Sequence, residues 1–480
     1  MSVRIDLWLG LFGLSLFFVF AILLRDALFV LGALVWVGVL IVPAVPRAGL
    51  YSALALVLIF EQLSSDPSMA LGAFINGGLT GSAGISGAVA TPLELLLLVT
   101  FVSWLFQGVM KGDLGLNGVE LGGAVAVFTI ALAFGFTRGF VQGGDTFIGL
   151  FESRYLFYVP VCYIVTAANI RTVRHMRGVM AVLLCGTLLF AIEGAYRKVA
   201  LIDTGILGVI PEFAYEHEDA IFLAAGIVFS FAIFAFRAPV RYRVLAALAL
   251  PVMAFTLLAS ERRAGFIALI IGFVVLALIL LVRERRAFVL YVVPVVLCAT
   301  VYFPVFWNAT GMLGQPARAV RSLSQPDARD AASNLARVLE TINVGANIEA
   351  SPVFGLGFGR EYAFVVSVPD LSWWPLWHFV AHNNVLWLWL KLGMLGFIVF
   401  FVLMGAAVAR GVQLARVLKV GELRAFAAIA TVGIVTVLVF SYVDIALVSG
   451  RVTVFLGVLL GALSVLGRVE RDHLRLGADA

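Results

Sequence analysis

The reactive potential of this sequence rests on one histidine and a set of arginines. His382, in WWPLWHFVAHNNVLWLWLKLGMLG, stands where a long polar connection gives way to an apolar run, beside Asn383 and Asn384. A histidine at such a boundary is either a hydrogen-bonded interfacial residue or a proton-transfer group. Arg262 and Arg263 form a pair in LLASERRAGF between two closely spaced apolar runs, and Arg138, Arg154, Arg197 and Lys198 fall near the ends of others. Arginines in such places either snorkel toward lipid headgroups or build an anion site, because the planar guanidinium grips phosphate through two parallel hydrogen bonds. No Walker loop, H-E-x-x-H, Cys/His metal spacing or D-x-D pair competes with this set. His378 and His382 are four residues apart but lack a third ligand, so no metal is expected.

Membrane-spanning helices must carry these groups. Of 480 residues, 62% are hydrophobic and 13% charged, against roughly 25% charged in a soluble domain; the mean hydropathy is +1.07. Runs such as AGFIALIIGFVVLALILLV (264–282) supply the roughly 20 residues needed to cross about 30 Å of hydrocarbon. They exclude an outer-membrane barrel, whose strands alternate. Apolar runs near 6–24, 27–45, 49–63, 92–110, 120–137, 154–169, 178–195, 219–236, 244–259, 264–282, 287–303, 384–409, 425–442 and 452–467 predict an all-α polytopic bundle of about 12–14 spans. The first run lacks a small-residue cleavage pattern and reads as a retained span. Cys162, Cys185 and Cys298 lie within runs and are expected as small buried hydrophobes without disulfides.

Charge placement sets the expected sidedness. With the amino terminus in the cytoplasm, inside connections carry nineteen of the 33 Lys and Arg, from Arg4 and Arg47 to the tail GRVERDHLRLG, as the positive-inside rule requires. Both termini are then cytoplasmic. The chain divides into an N-terminal bundle of about eleven spans (1–303), a large periplasmic loop (304–383) and C-terminal helices with a cytoplasmic tail (384–480).

A loop of this length is normally functional. It holds Arg318, Arg321, Arg329, Arg337 and Arg360. Ser333 or Asn334 is placed to cap a short helix with Leu335, Val338, Leu339, Ile342 and Ala346 on one face, expected along the membrane surface. In SPVFGLGFGREY (351–362), glycines including Gly355 and Gly357 permit tight turns and close backbone approach to a ligand. The G-x-G-x-G spacing, with no strand before it, is not a dinucleotide fingerprint. Trp373, Trp374 and Trp377 either stack on sugars or anchor at the interface. A second outside gap, 64–91, reads as a flexible or re-entrant loop, and HEDA (217–220) as a solvated loop or an acceptor contact.

The segment SNLARVLETINVGANIEASPVFGLGFGREY, followed by HNNVLWLWLKLGMLG, resembles the O-antigen ligase/polymerase superfamily: WaaL ligases, Wzy-type polymerases and pilin oligosaccharyltransferases. The family motif is His, then Asn/Ser/Gln, nine residues and G-x-x-G; here it reads His382-Asn383, 384–392, Gly393-Met-Leu-Gly396. ASERRAGFIAL (259–269) adds the arginine-bearing hairpin that precedes the large loop in that family. The resemblance implies a glycosyltransferase of the bacterial inner membrane whose site faces the periplasm. Its donor would be a glycan on undecaprenyl pyrophosphate and its acceptor a glycan or lipid A-core hydroxyl. His382 would serve as catalytic base, Arg262 or Arg263 as the hairpin's pyrophosphate contact, and an upstream arginine, Arg154, Arg197 or Arg138, as a further one. Asn383, Arg337, Gly355, Gly357 and Arg360 would position loop and substrate. Diphosphate is a good leaving group, so arginines suffice to stabilise it and the displacement is expected to be inverting and metal-independent, with no cofactor. Membrane lipids and, for a polymerase, a chain-length regulator are the further partners; nucleic acid is not one.

Two alternatives stand beside this reading. A protein O-oligosaccharyltransferase of the same superfamily would share every motif and differ only in its acceptor surface. A lipid-linked glycan flippase would have a similar number of spans. It would be expected to place charges at mid-membrane and to show internal symmetry, whereas here charges gather at helix ends and no repeat is evident.

Overall fold

A computed structural model of the protein describes residues 41–60, 91–203, 218–370 and 376–478. The run at 6–24, most of 27–45, the gap at 64–90, His217, Trp373 and Trp374 lie outside the described residues.

Among the described residues the fold is entirely helical. In chain order the helices are α1 (Pro46–Ile59), α2 (Pro92–Lys111), α3 (Gly122–Val141), α4 (Thr146–Asn169), α5 (Val173–Tyr196), α6 (Asp219–Ala235), α7 (Val240–Ser260), α8 (Arg263–Arg283) and α9 (Arg285–Phe306). After these come α10 (Gln315–Arg321), α11 (Ala328–Ala350), α12 (Asn384–Val417), α13 (Gly421–Val443), α14 (Gly450–Leu463) and α15 (Leu466–Ala478). Nine are long and apolar enough to cross a membrane, or ten if the bent pair α14–α15 forms one span. The shorter apolar helices α1 and α6 also coincide with predicted runs.

At 17 residues, α6 is about 25 Å long; it is buried on nearly every side and packs on α7, α8 and α13. A helix that is apolar all round and enclosed by protein belongs at the centre of a bundle. At the opposite extreme, α9 has no buried residue in its apolar window, and α2 and α3 expose long rows of Leu, Val and Phe, as lipid-facing helices do. Of the cysteines only Cys162 is buried; Cys185 and Cys298 are exposed on this outer surface, against expectation.

Helix ends fall into two sets. One is tied together by ion pairs Arg171–Asp113, Arg177–Glu422, Arg410–Glu120 and Arg424–Glu284. The other carries the 304–383 connection. Starts of helices at that second end are capped by their own sequence: Thr91 and Glu94 form a reciprocal capping box on α2, and Asp145 caps α4, satisfying orphan backbone donors.

Two parts of the chain differ from the sequence reading. The helix expected to begin near Ser333 starts at Ala328, because Asp327 accepts from the Asp330 amide and caps it six residues earlier; the helix runs for 23 residues. Its apolar stripe, Leu335, Val338 and Ile342, faces outward and is 46–59% exposed. The polar stripe faces the protein: buried Asn343 accepts from the amides of Val365 and Val366 and donates to the Val366 carbonyl, and Asn347 does the same with Ala363. The described part of HEDA, residues 218–220, is not solvated either. Glu218 and Asp219 are buried, and Asp219 pairs with the fully buried Arg451, whose guanidinium stacks on Phe190 and Phe222.

Candidate active site

Asn383 ends the polar connection by accepting from the Leu386 amide at 3.1 Å, as the N-cap of α12. Buried Asn384 accepts from the amides of Ala446 and Leu447 and donates to the Ala381 carbonyl, fastening the re-entry point to the α13–α14 turn. His382 is thereby held at the mouth of the bundle. From α11, Glu340 reaches it at two points: Oε2 accepts from the His382 amide (2.9 Å), and Oε1 lies 3.0 Å from Nδ1. With Nδ1–H given to the carboxylate, a neutral imidazole carries its basic lone pair on Nε2. Burial acts to lower the His382 pKa, but the Glu340 hydrogen bond and charge, with Asp444 behind them, outweigh it and leave the group above the usual 6.5.

His382 and Glu340 line a pocket of about 190 Å³ with Arg337, Tyr362, Phe364 and Trp377. One turn before Glu340 on α11, Arg337 meets Asp444 at 3.1 Å. Phe364 stacks on His378 with Trp377 beside them, so His378 turns to the aromatic cluster and does not converge with His382. Buried Tyr362 donates to the Trp377 carbonyl.

Arg263 joins the site through the same helix: its Nε lies 3.3 Å from Asp330, and its Nη atoms reach Ser322 and Asn334. The α7–α8 hairpin that presents it is abrupt, with Glu261 at φ 54° and Arg262 as N-cap of α8. A non-glycine residue in the left-handed region is uncommon, and such strain persists where surrounding contacts hold it. Arg154 and Arg197 are placed elsewhere. Arg154 donates to the Tyr155 hydroxyl, lies 3.5 Å from Glu94, stacks on Phe151, and heads a largely apolar cleft of about 350 Å³ between α2, α3 and α4. Arg197 is buried against Glu193 at 2.9 Å.

The glycine-rich turn approaches protein backbone, not a ligand cradle. Gly355 (φ 68°) and Gly357 (φ 84°) would carry a Cβ into the backbone of Gly393 and Gly139, respectively. The Leu356 and Gly357 amides donate to the carbonyls of Leu390 and Lys391, and Phe358 to that of Gly135. Gly393 breaks α12 with φ 68° and ψ −178° to make room. Beneath the turn, Glu152 accepts from the Gly359 amide and pairs with Lys391 at 3.0 Å, both side chains wholly buried. Arg138 donates to the Gly355 carbonyl and Arg360 to that of Gln142. Asn383, Gly355, Gly357 and Arg360 therefore hold the loop in place, and Arg337 is the one positioning candidate that lines the pocket. Glu340 and Asp444 escaped the sequence reading; Glu340 lies three residues beyond Arg337 on one helical face, and that spacing was the available signal.

A polytopic helical membrane protein with a His–Glu pair and arginines under a large connection between spans is the class these observations define. Residues 248–401 match the Wzy_C family model, described as O-antigen ligase. The matched stretch holds Arg262, Arg263, the whole large connection and the His382–Gly396 motif. No curated protein matches the chain.

Proposed function

We propose that this protein is an inner-membrane glycosyltransferase that moves a glycan from undecaprenyl pyrophosphate to an acceptor hydroxyl on the periplasmic side. The observation that carries the reading is the two-point grip of Glu340 on His382 beside Arg337, within the stretch matching the O-antigen ligase family. The acceptor oxygen attacks the anomeric carbon while the bond from that carbon to the diphosphate breaks, inverting the centre. His382 Nε2 takes the acceptor proton, and Glu340 stabilises the imidazolium. Arg263 and Arg337, with Arg262 at the hairpin, receive the charge that grows on the leaving diphosphate. Asp330 and Asp444 keep the two guanidiniums extended while they wait. Arg154, in its separate apolar cleft, and Arg197, buried against Glu193, take no part in this assignment.

Tyr362, Phe364 and Trp377 give the pocket walls on which a sugar ring stacks, which favours a glycan acceptor over a folded protein. The test is incubation of purified protein with an undecaprenyl-pyrophosphate-linked repeat unit in EDTA, with and without lipid A-core. A ladder from donor alone identifies a polymerase, and one shifted band requiring lipid A-core a ligase. Full activity in His382→Ala would refute the assignment of the base. Absence of product, with donor crossing liposomes, would replace the enzyme by a transporter.

A further inference from the structure

An arginine-lined pocket lies at the end of the bundle opposite His382 and takes no part in the proposed chemistry. It has a volume of about 610 Å³ and sits where α6 ends, α8 passes into α9, and α13 begins. Arg237, Arg283, Arg285, Arg286 and Arg424 line it against a single carboxylate, Glu284. That carboxylate is already committed to Arg424 at 2.8 Å. Arg283 donates to the Arg416 carbonyl. The side chains of Arg237, Arg285 and Arg286 have no hydrogen-bond or ion-pair partner among the described residues, and all three are exposed. Arg237 also takes φ 52°, turning the chain sharply at the pocket rim.

Three guanidiniums around one concavity, without partners among the described residues, concentrate positive potential that a bound anion neutralises. The surroundings say what kind of anion. The pocket wall continues into Leu290, and Val289, Leu290, Val296 and Leu297 of α9 are 53–63% exposed. An occupant must therefore carry negative charge at one end and apolar chain at the other. We infer that this pocket is a specific site for an anionic diacyl phospholipid, whose phosphodiester sits among Arg237, Arg285 and Arg286 while its acyl chains lie along α9. Arginines that only snorkel would give non-saturable attraction to anionic membranes, whereas a built site binds one lipid and saturates.

The test uses the purified full-length protein in neutral detergent, titrated with dioleoyl phosphatidylglycerol or dioleoyl phosphatidylcholine and read by native mass spectrometry. The wild type is expected to hold one phosphatidylglycerol at least about tenfold more tightly than phosphatidylcholine. Each guanidinium near the headgroup is worth about fivefold, so R237Q/R285Q/R286Q should bind phosphatidylglycerol about a hundredfold more weakly. R237K/R285K/R286K keeps the charge and should stay close to wild type. Unchanged melting temperatures exclude unfolding as the cause. Equal retention of the two lipids by the wild type, or undiminished phosphatidylglycerol binding by the glutamine variant, would overturn the proposal. So would displacement by inorganic phosphate at equal concentration, which would make a soluble phosphate the ligand.

Discussion

Substitution of Glu340 by Gln keeps the shape of the side chain that holds His382 and removes its charge. In the wild type the carboxylate meets the imidazole Nδ1 at 3.0 Å and the His382 amide at 2.9 Å. A hydrogen bond to a charged group is worth about 1.5–3 kcal/mol, and forming an imidazolium during proton transfer draws on most of that. At about 1.4 kcal/mol per decade the expected fall in kcat is about 10–150-fold, with KM little changed because Glu340 acts through the imidazole. The charge also raises the His382 pKa above 6.5 against the opposing effects of burial and Arg337. E340Q therefore moves the acid limb of the rate profile to lower pH, since the base stays neutral further down. Stability obeys the same linkage. The advantage of wild type over E340Q is full below about pH 6.5 and disappears as pH climbs through the raised pKa of the folded protein. Imidazole NMR on a chain with five histidines reads this shift without any assay of activity. An unmoved His382 titration in E340Q would refute the positioning role even if the enzyme proved active; a moved titration in an inactive protein would instead count against the proposed reaction.

Asn383→Ser preserves the N-cap of α12 and should leave activity near wild type, whereas Asn383→Ala should cost about 1 kcal/mol of stability by thermal melting; loss of turnover in the serine variant would instead indicate substrate contact. Gly393→Ala places a side chain in a region of backbone space that only glycine enters and drives its Cβ into the Val353 carbonyl. Size-exclusion yield of folded protein should collapse. Lys391→Met strands Glu152 in the interior and should destabilise by about 3–5 kcal/mol, while K391M/E152Q should regain most of it; equal melting temperatures for the two would show that the pair is not the stabilising feature.

The helical bundle was readable from sequence because about twenty consecutive apolar residues have few other uses. Twelve predicted runs, from 49–63 to 452–467, coincide with helices α1–α9 and α12–α14. His382 and Arg263 were readable because charge at a span end demands a reason. Glu340 was not, since its partner lies 42 residues away and hydropathy periodicity drew attention to the opposite side of its helix. Leu335, Val338 and Ile342 marked the stripe that faces outward; the complementary polar stripe does the packing. Glycine spacing at 355–359 announced that backbones must approach closely, but sequence carries no indication of whose backbone. Buried pairs such as Arg451–Asp219, 232 residues apart, are set by three-dimensional contact alone.

Because α11 carries Asp330, Asn334, Arg337 and Glu340 on one stripe, a single helix braces both Arg263 and His382 and presents Arg337 beside them. Each residue added to an α-helix rotates all later side chains by about 100° and advances them about 1.5 Å. One insertion or deletion between 330 and 340 would rotate Glu340 away from His382 while leaving Arg263 with its carboxylate, so half the machinery could not be tuned without unseating the rest. Beyond Tyr362, Phe364 and Trp377 shape the pocket wall without setting the spacing of the charged groups, so substitutions there alter the pocket while both braces keep their register.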